Sequence, residues 1–95
     1  MNQIDLKGRV AVVTGGAQGI GFAIARRLLA SGARVSLWDM NAALLQSACA
    51  ELGGETSSIA VDITDYPAVA RAVAEVESAL GSLDILVHSA GVAGK

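Results

Sequence analysis

Eight residues near the N-terminus, Thr14-Gly15-Gly16-Ala17-Gln18-Gly19-Ile20-Gly21, constrain the fold more than anything else in the chain. They follow Val10-Ala11-Val12-Val13, an unbroken apolar run of strand length, as expected of a central strand buried on both faces. They lead into a segment from about Ile20 to Ala30, in which Ile24/Leu28 and Ala25/Leu29 fall one helical turn apart and Gly32 gives a stop after Ser31. A strand that passes through spaced glycines directly into a helix is the opening of a βαβ unit on a parallel sheet. Each glycine has a steric task. Gly15 lets the chain leave the strand sharply, Gly19 lets a ligand approach the backbone with no Cβ in the way, and Gly21 lets helix and strand pack closely.

The same alternation continues along the chain. Arg34-Val35-Ser36-Leu37-Trp38 reads as the second strand, closed by Asp39; Asn41 can cap a helix over about 42–52, which Gly53-Gly54 ends. Ser58-Ile59-Ala60-Val61 is a short third strand. Pro67 suits the first position of a helix running to about Leu80, and Val69, Val73, Val76 and Leu80 form one apolar stripe on it. Ile85-Leu86-Val87-His88 is the fourth strand. Hydrophobic residues make up 53% of the chain and aromatics only 3%, so the core must be built from Ala, Val, Ile and Leu, which suits helices packed tightly on a parallel sheet. The pattern is α/β, in a single unit without internal repeats or linkers.

Chemistry concentrates where ligands of open α/β sheets bind, at the C-terminal strand ends. Unpaired N–H groups and the positive end of the helix dipole converge at the glycine turn, which is therefore an anion site. A tight βα turn without a ligand is the alternative. Asp39 stands 18 positions beyond Gly21, close to the spacing of about 20 expected for a carboxylate that accepts hydrogen bonds from an adenosine ribose. Together they indicate a bound dinucleotide, NAD. Unit charges about 4 Å apart interact by around 4 kcal/mol at an effective dielectric near 20, so Asp39 would repel the 2′-phosphate of NADP, and solvent relaxation still leaves a preference for NAD of about tenfold or more. No Arg or Lys lies in the turn or just after Asp39 to reverse it. Asp39 could instead serve only as a cap for the next helix.

These residues resemble the N-terminal part of the short-chain dehydrogenase/reductase family, whose glycine motif T-G-x-x-x-G-x-G is matched by Thr14 through Gly21. The resemblance implies a Rossmann-type doubly wound parallel sheet, here partial, with strand order 3-2-1-4 and the later strands missing. It implies cofactor contacts at Gly15, Gln18, Gly19, Ile20, Gly21 and Asp39. Asp62 would meet the adenine amine and Ile63 would offer a backbone N–H to the adenine ring, although Asp62 also suits a turn or cap before Thr64 and Asp65. After the fourth strand the family carries N-N-A-G, and this chain has His88-Ser89-Ala90-Gly91. Ser89, Ala90 and Gly91 are expected to contact the cofactor mainly through backbone, with the hydrogen bonds that steady the sheet rewired. His88 is expected to bond neighbouring backbone rather than act as a base.

The family's catalytic tyrosine, followed four residues later by lysine, has no match. The one tyrosine, Tyr66, is followed four residues later by Ala70 and suits a capping or packing position; Lys95 has Gly91 four residues before it. Residues 1–95 are thus expected to be the N-terminal part of one dinucleotide-binding domain, truncated before the catalytic segment and inactive alone. The implied function is an NAD(H)-dependent oxidoreductase interconverting an alcohol and a carbonyl, a homo-oligomer at full length. A dinucleotide-binding module without chemistry of its own is the alternative. Net charge is −2 with Lys and Arg scattered, which gives nucleic acid no basic stripe to bind. The single cysteine, Cys49, allows no intrachain disulfide and suits a packed thiol, and neither a signal peptide nor a membrane span is read, so the expected location is cytoplasmic.

Overall fold

The structure, a computed structural model, describes residues 5–89. Strands β1 (Val10–Thr14), β2 (Arg34–Asp39), β3 (Thr56–Ala60) and β4 (Ile85–His88) alternate with helices α1 (Gly19–Ala30), α2 (Ala42–Leu52) and α3 (Tyr66–Ala79). The four strands form one parallel sheet in the order β3-β2-β1-β4. Thr14 at the end of β1 lies in register with Trp38 on one side and His88 on the other, so the glycine turn leaves the middle of the sheet.

Every residue of β1 is buried, as its apolar run requires. Its alternate side chains enter two separate cores. Ala11 and Val13 join Val35 and Leu37 of β2 beneath Ala25 of α1 and Leu45 and Ala48 of α2. Val10 and Val12 join Trp38 and Val61 beneath Ala72 and Val76 of α3. The molecule is therefore a three-layer α/β/α arrangement of Rossmann type. Small residues where α1 and α2 meet the sheet let the layers approach closely, and the larger β-branched side chains come from the strands. One polar pair sits inside: Ser36 Oγ accepts a hydrogen bond from the Trp38 indole N–H at 3.0 Å, with both residues buried. Cys49 is half-buried against the α1–α2 core.

Three local expectations differ from the structure. The third strand begins at Thr56 rather than Ser58, because Thr56 and Ser57 pair with Val35 and Ser36 on an edge where polar side chains reach solvent. Val61 lies just past the strand, yet its N–H still donates to the Asp39 carbonyl at 2.9 Å. Tyr66 neither caps nor packs: it is 79% exposed, and Asp65 caps α3 by accepting from Ala68 N–H at 3.2 Å. Pro67 is consequently the second helical residue, a position whose N–H has no helical acceptor in any case. Among the described residues no helix is long and apolar enough to cross a membrane.

Candidate dinucleotide site

Backbone geometry in the glycine turn shows what each glycine permits. Gly15 has φ +66° and Gly19 φ +65°, a region that side chains with a Cβ rarely adopt. A Cβ on Gly19 would meet nothing within 4 Å, so that face of the turn is open to a ligand. A Cβ on Gly21 would lie 2.2 Å from the Gly15 carbonyl oxygen and 2.6 Å from Ser89 Oγ, so α1 abuts the strand ends only because that residue is glycine. Gly16 carries a requirement the sequence did not disclose. It is buried, and a Cβ there would lie 2.9 Å from both Leu37 Cδ2 and the Val13 carbonyl oxygen.

The donors of the turn divide into two sets. Gly15 and Gly16 N–H both donate to the Trp38 carbonyl, at 2.7 and 3.3 Å, which locks the turn to β2. Those at the start of α1 (Gly19, Ile20, Gly21) have no intrahelical acceptor by construction. At the N-cap position the Gln18 side chain gives no capping hydrogen bond. The other two helices differ. Asn41 caps α2 through Leu44 N–H at 3.0 Å, and Asp65 caps α3. Among the helices of the described residues only α1 begins without a side-chain acceptor, at the place where a phosphate would supply one. An open backbone face at Gly19 and unsatisfied N–H groups at the start of α1 thus coincide at one place. Ile20 stands 64% exposed in the first turn of α1.

Asp39 ends β2, half-buried, and its Oδ1 accepts from Asn41 N–H at 3.3 Å. The capping of α2 falls to Asn41, not Asp39. Asp62, beyond β3, is exposed; its Oδ1 accepts from the Thr64 hydroxyl at 2.6 Å and from Thr64 N–H at 2.9 Å. These two bonds, the hydroxyl's first, hold the carboxyl below its ordinary range and keep it an acceptor. The turn expected as the alternative role of Asp62 is thus present, and it fixes the orientation of the carboxylate. Ile63 is half-buried beside it.

At the fourth strand end His88, expected to bond neighbouring backbone, instead meets a side chain, because the Thr14 hydroxyl ends the paired strand in register with it. His88 Nδ1 lies 3.2 Å from the Thr14 hydroxyl, and Ser89 donates to Thr14 from both its N–H and its Oγ. Thr14 is the residue that sequence reasoning missed as a junction, because its place inside the glycine motif hid its bonds to β4. Ala90 and Gly91 lie outside the described residues. Among the described residues no cluster of His, Cys, Asp and Glu could hold a metal.

Comparison with known proteins agrees with this arrangement. The pattern of the short chain dehydrogenase family matches residues 9–95. Over 87 residues the chain is 46% identical to the 2-dehydro-3-deoxy-L-rhamnonate dehydrogenase (NAD(+)) of Sphingomonas sp. (strain SKA58), covering 92% of this chain and 34% of that protein. It is 41% identical to the sorbitol dehydrogenase of Cereibacter sphaeroides, again over 92% of this chain and 34% of the relative. The crystal structure of gox2181 superposes with a TM-score of 0.86 at 40% identity, over 90% of this chain and 35% of that one. The chain thus spans about a third of the length of the relatives it matches. With the strand order, the glycine turn and these relatives in agreement, the chain belongs to the short chain dehydrogenase family.

Proposed function

We propose that residues 1–95 are the NAD-binding part of an oxidoreductase that interconverts an alcohol and a carbonyl. The observation that carries this reading is the bare N-terminus of α1 behind the glycine turn, set beside two helices whose N-termini are capped. The pyrophosphate would be held by the N–H groups of Gly19, Ile20 and Gly21, with Gly15 and Gln18 shaping the turn. Asp39 would accept from the adenosine ribose, Asp62 and Ile63 would receive the adenine, and Ser89, Ala90 and Gly91 would run beside the second ribose. When bound, the nicotinamide donates or accepts the hydride.

The residues of this chain would bind and orient; Tyr66, followed four residues later by Ala70, does not match the family's tyrosine and lysine pair. The acid/base step would be supplied by sequence outside these residues; about two thirds of each relative's length lies outside the matched segment. The NAD-named relative supports the cofactor choice, as does the carboxylate at Asp39. A cytoplasmic location and a homo-oligomeric whole protein complete the proposal.

The test is a calorimetric titration of the intact protein with NADH and NADPH. NADH should bind about tenfold tighter, and Asp39→Ala should narrow that gap to about twofold by removing the charge that opposes the 2′-phosphate. Equal affinities in the parent would refute the NAD preference. Failure of both dinucleotides to bind would favour the ligand-free turn.

A further inference from the structure

Three neighbouring strand ends present, in spatial order, the glycine turn after β1, Asp39 at the end of β2 and Asp62 just beyond β3. Adjacent strands lie about 4.8 Å apart, so β3 is about 10 Å across the sheet from β1. A ligand whose phosphates sit at the turn and whose ribose reaches Asp39 therefore carries its base toward Asp62. Val61 N–H donates to the Asp39 carbonyl at 2.9 Å and keeps these two strand ends together.

Asp62 opens a tight turn. Its backbone carbonyl accepts from Asp65 N–H at 2.9 Å, and Asp65 in turn caps α3, so the turn is fixed on both sides. Thr64 grips one carboxylate oxygen of Asp62: its hydroxyl at 2.6 Å and its N–H at 2.9 Å both donate to Oδ1. Among the described residues no other donor reaches this carboxylate, and Oδ2 keeps its lone pairs for a ligand. The two bonds also hold the carboxyl below its ordinary range, so it stays ionised. An ionised carboxylate accepts hydrogen bonds and donates none. Adenine carries an exocyclic amine, a donor, where hypoxanthine carries a carbonyl oxygen. A fixed acceptor pairs with the first and opposes the second.

We propose that Thr64 is a positioning residue of the dinucleotide site: by holding Asp62 Oδ1 it presents Oδ2 as a fixed acceptor that selects a base with an exocyclic amine over one with a carbonyl oxygen at that place. The proposal rests on the dinucleotide reading above. Thr64 acts through Asp62 and touches no ligand itself. Asp62 is exposed, so water partly relieves a mismatched base and the discrimination is about tenfold.

Fluorescence titrations of the intact protein with NADH and with reduced nicotinamide hypoxanthine dinucleotide, which differs in that base alone, test it. The parent should bind NADH about tenfold tighter. Thr64→Val keeps the shape and the N–H but lacks the hydroxyl, and the preference should fall to about threefold; Thr64→Ser should restore it. In Asp62→Asn, Thr64 would still hold Oδ1, which leaves the amide nitrogen as a donor toward the base, and the preference for NADH should vanish or reverse. Equal affinities in the parent, a parent-like ratio in Thr64→Val, or a parent-like ratio in Asp62→Asn would overturn the proposal. A Thr64→Val protein that weakens both dinucleotides equally keeps the parent ratio and would leave Thr64 a structural role alone. Binding of neither dinucleotide by the parent would instead sink the dinucleotide reading. The grip of Thr64 can also be read without ligand, because the Asp62 carboxyl should protonate at lower pH in the parent than in Thr64→Val when followed by NMR. Coincident titrations would refute that grip by themselves.

Discussion

At the residue scale, Gly19 and Gly21 belong to one motif but do different work. A methyl on Gly21 would collide with the Gly15 carbonyl oxygen, and backbone cannot move aside without parting α1 from the sheet. Gly21→Ala should therefore cost about 3 kcal/mol of stability or more, measured by urea denaturation. A methyl on Gly19 has room, and its positive φ costs only about 1–2 kcal/mol. Gly19→Ala should unfold at a urea concentration closer to that of the parent while losing most of its NADH affinity. If both variants bind NADH as the parent does, the glycines serve folding alone.

At the scale of elements, the helix starts can be compared directly. Asn41 and Asp65 each satisfy a backbone donor, so Asn41→Ala and Asp65→Ala should each lower stability by about 1 kcal/mol. Gln18 makes no such bond, and Gln18→Ala should change the denaturation midpoint by less than a third of that. An equal loss at all three would mean that α1 is capped after all. The helix starts also mark what was legible in the sequence. Asn41 was readable as a cap because it precedes an uninterrupted helical pattern. Asp65 was not, because Pro67 drew the boundary one residue late and Tyr66 looked like a packing residue. β3 was read two residues late for a related reason. Strand pairing there is carried by backbone along an edge, and Thr56 and Ser57 have no apolar side chains to announce it. The spacing from Gly21 to Asp39 was legible because it spans one helix and the strand that follows it. The junction at Thr14 was not, because residues more than seventy positions apart form it.

At the scale of the molecule, the two faces of the sheet are unevenly covered beside β4. Ile85 and Val87 pack into the α1–α2 core, whereas Leu86, on the face shared with Val12, is 62% exposed. Among the described residues β4 pairs with β1 alone, so its outer edge offers free backbone groups next to an exposed leucine. Residues 1–95 produced alone should self-associate, and Leu86→Lys should shift sedimentation profiles toward monomer. A monomeric parent at high concentration would show the edge to be protected. The buried pair on β2 has a different use. Trp38 is the one tryptophan of the chain, its indole tied to Ser36 inside the α3 layer and its carbonyl holding the glycine turn. Its emission thus reports from the strand that orders the turn, and reduced nicotinamide absorbs at those wavelengths. On the proposed function, quenching of this emission by NADH would report occupancy of the turn without any label.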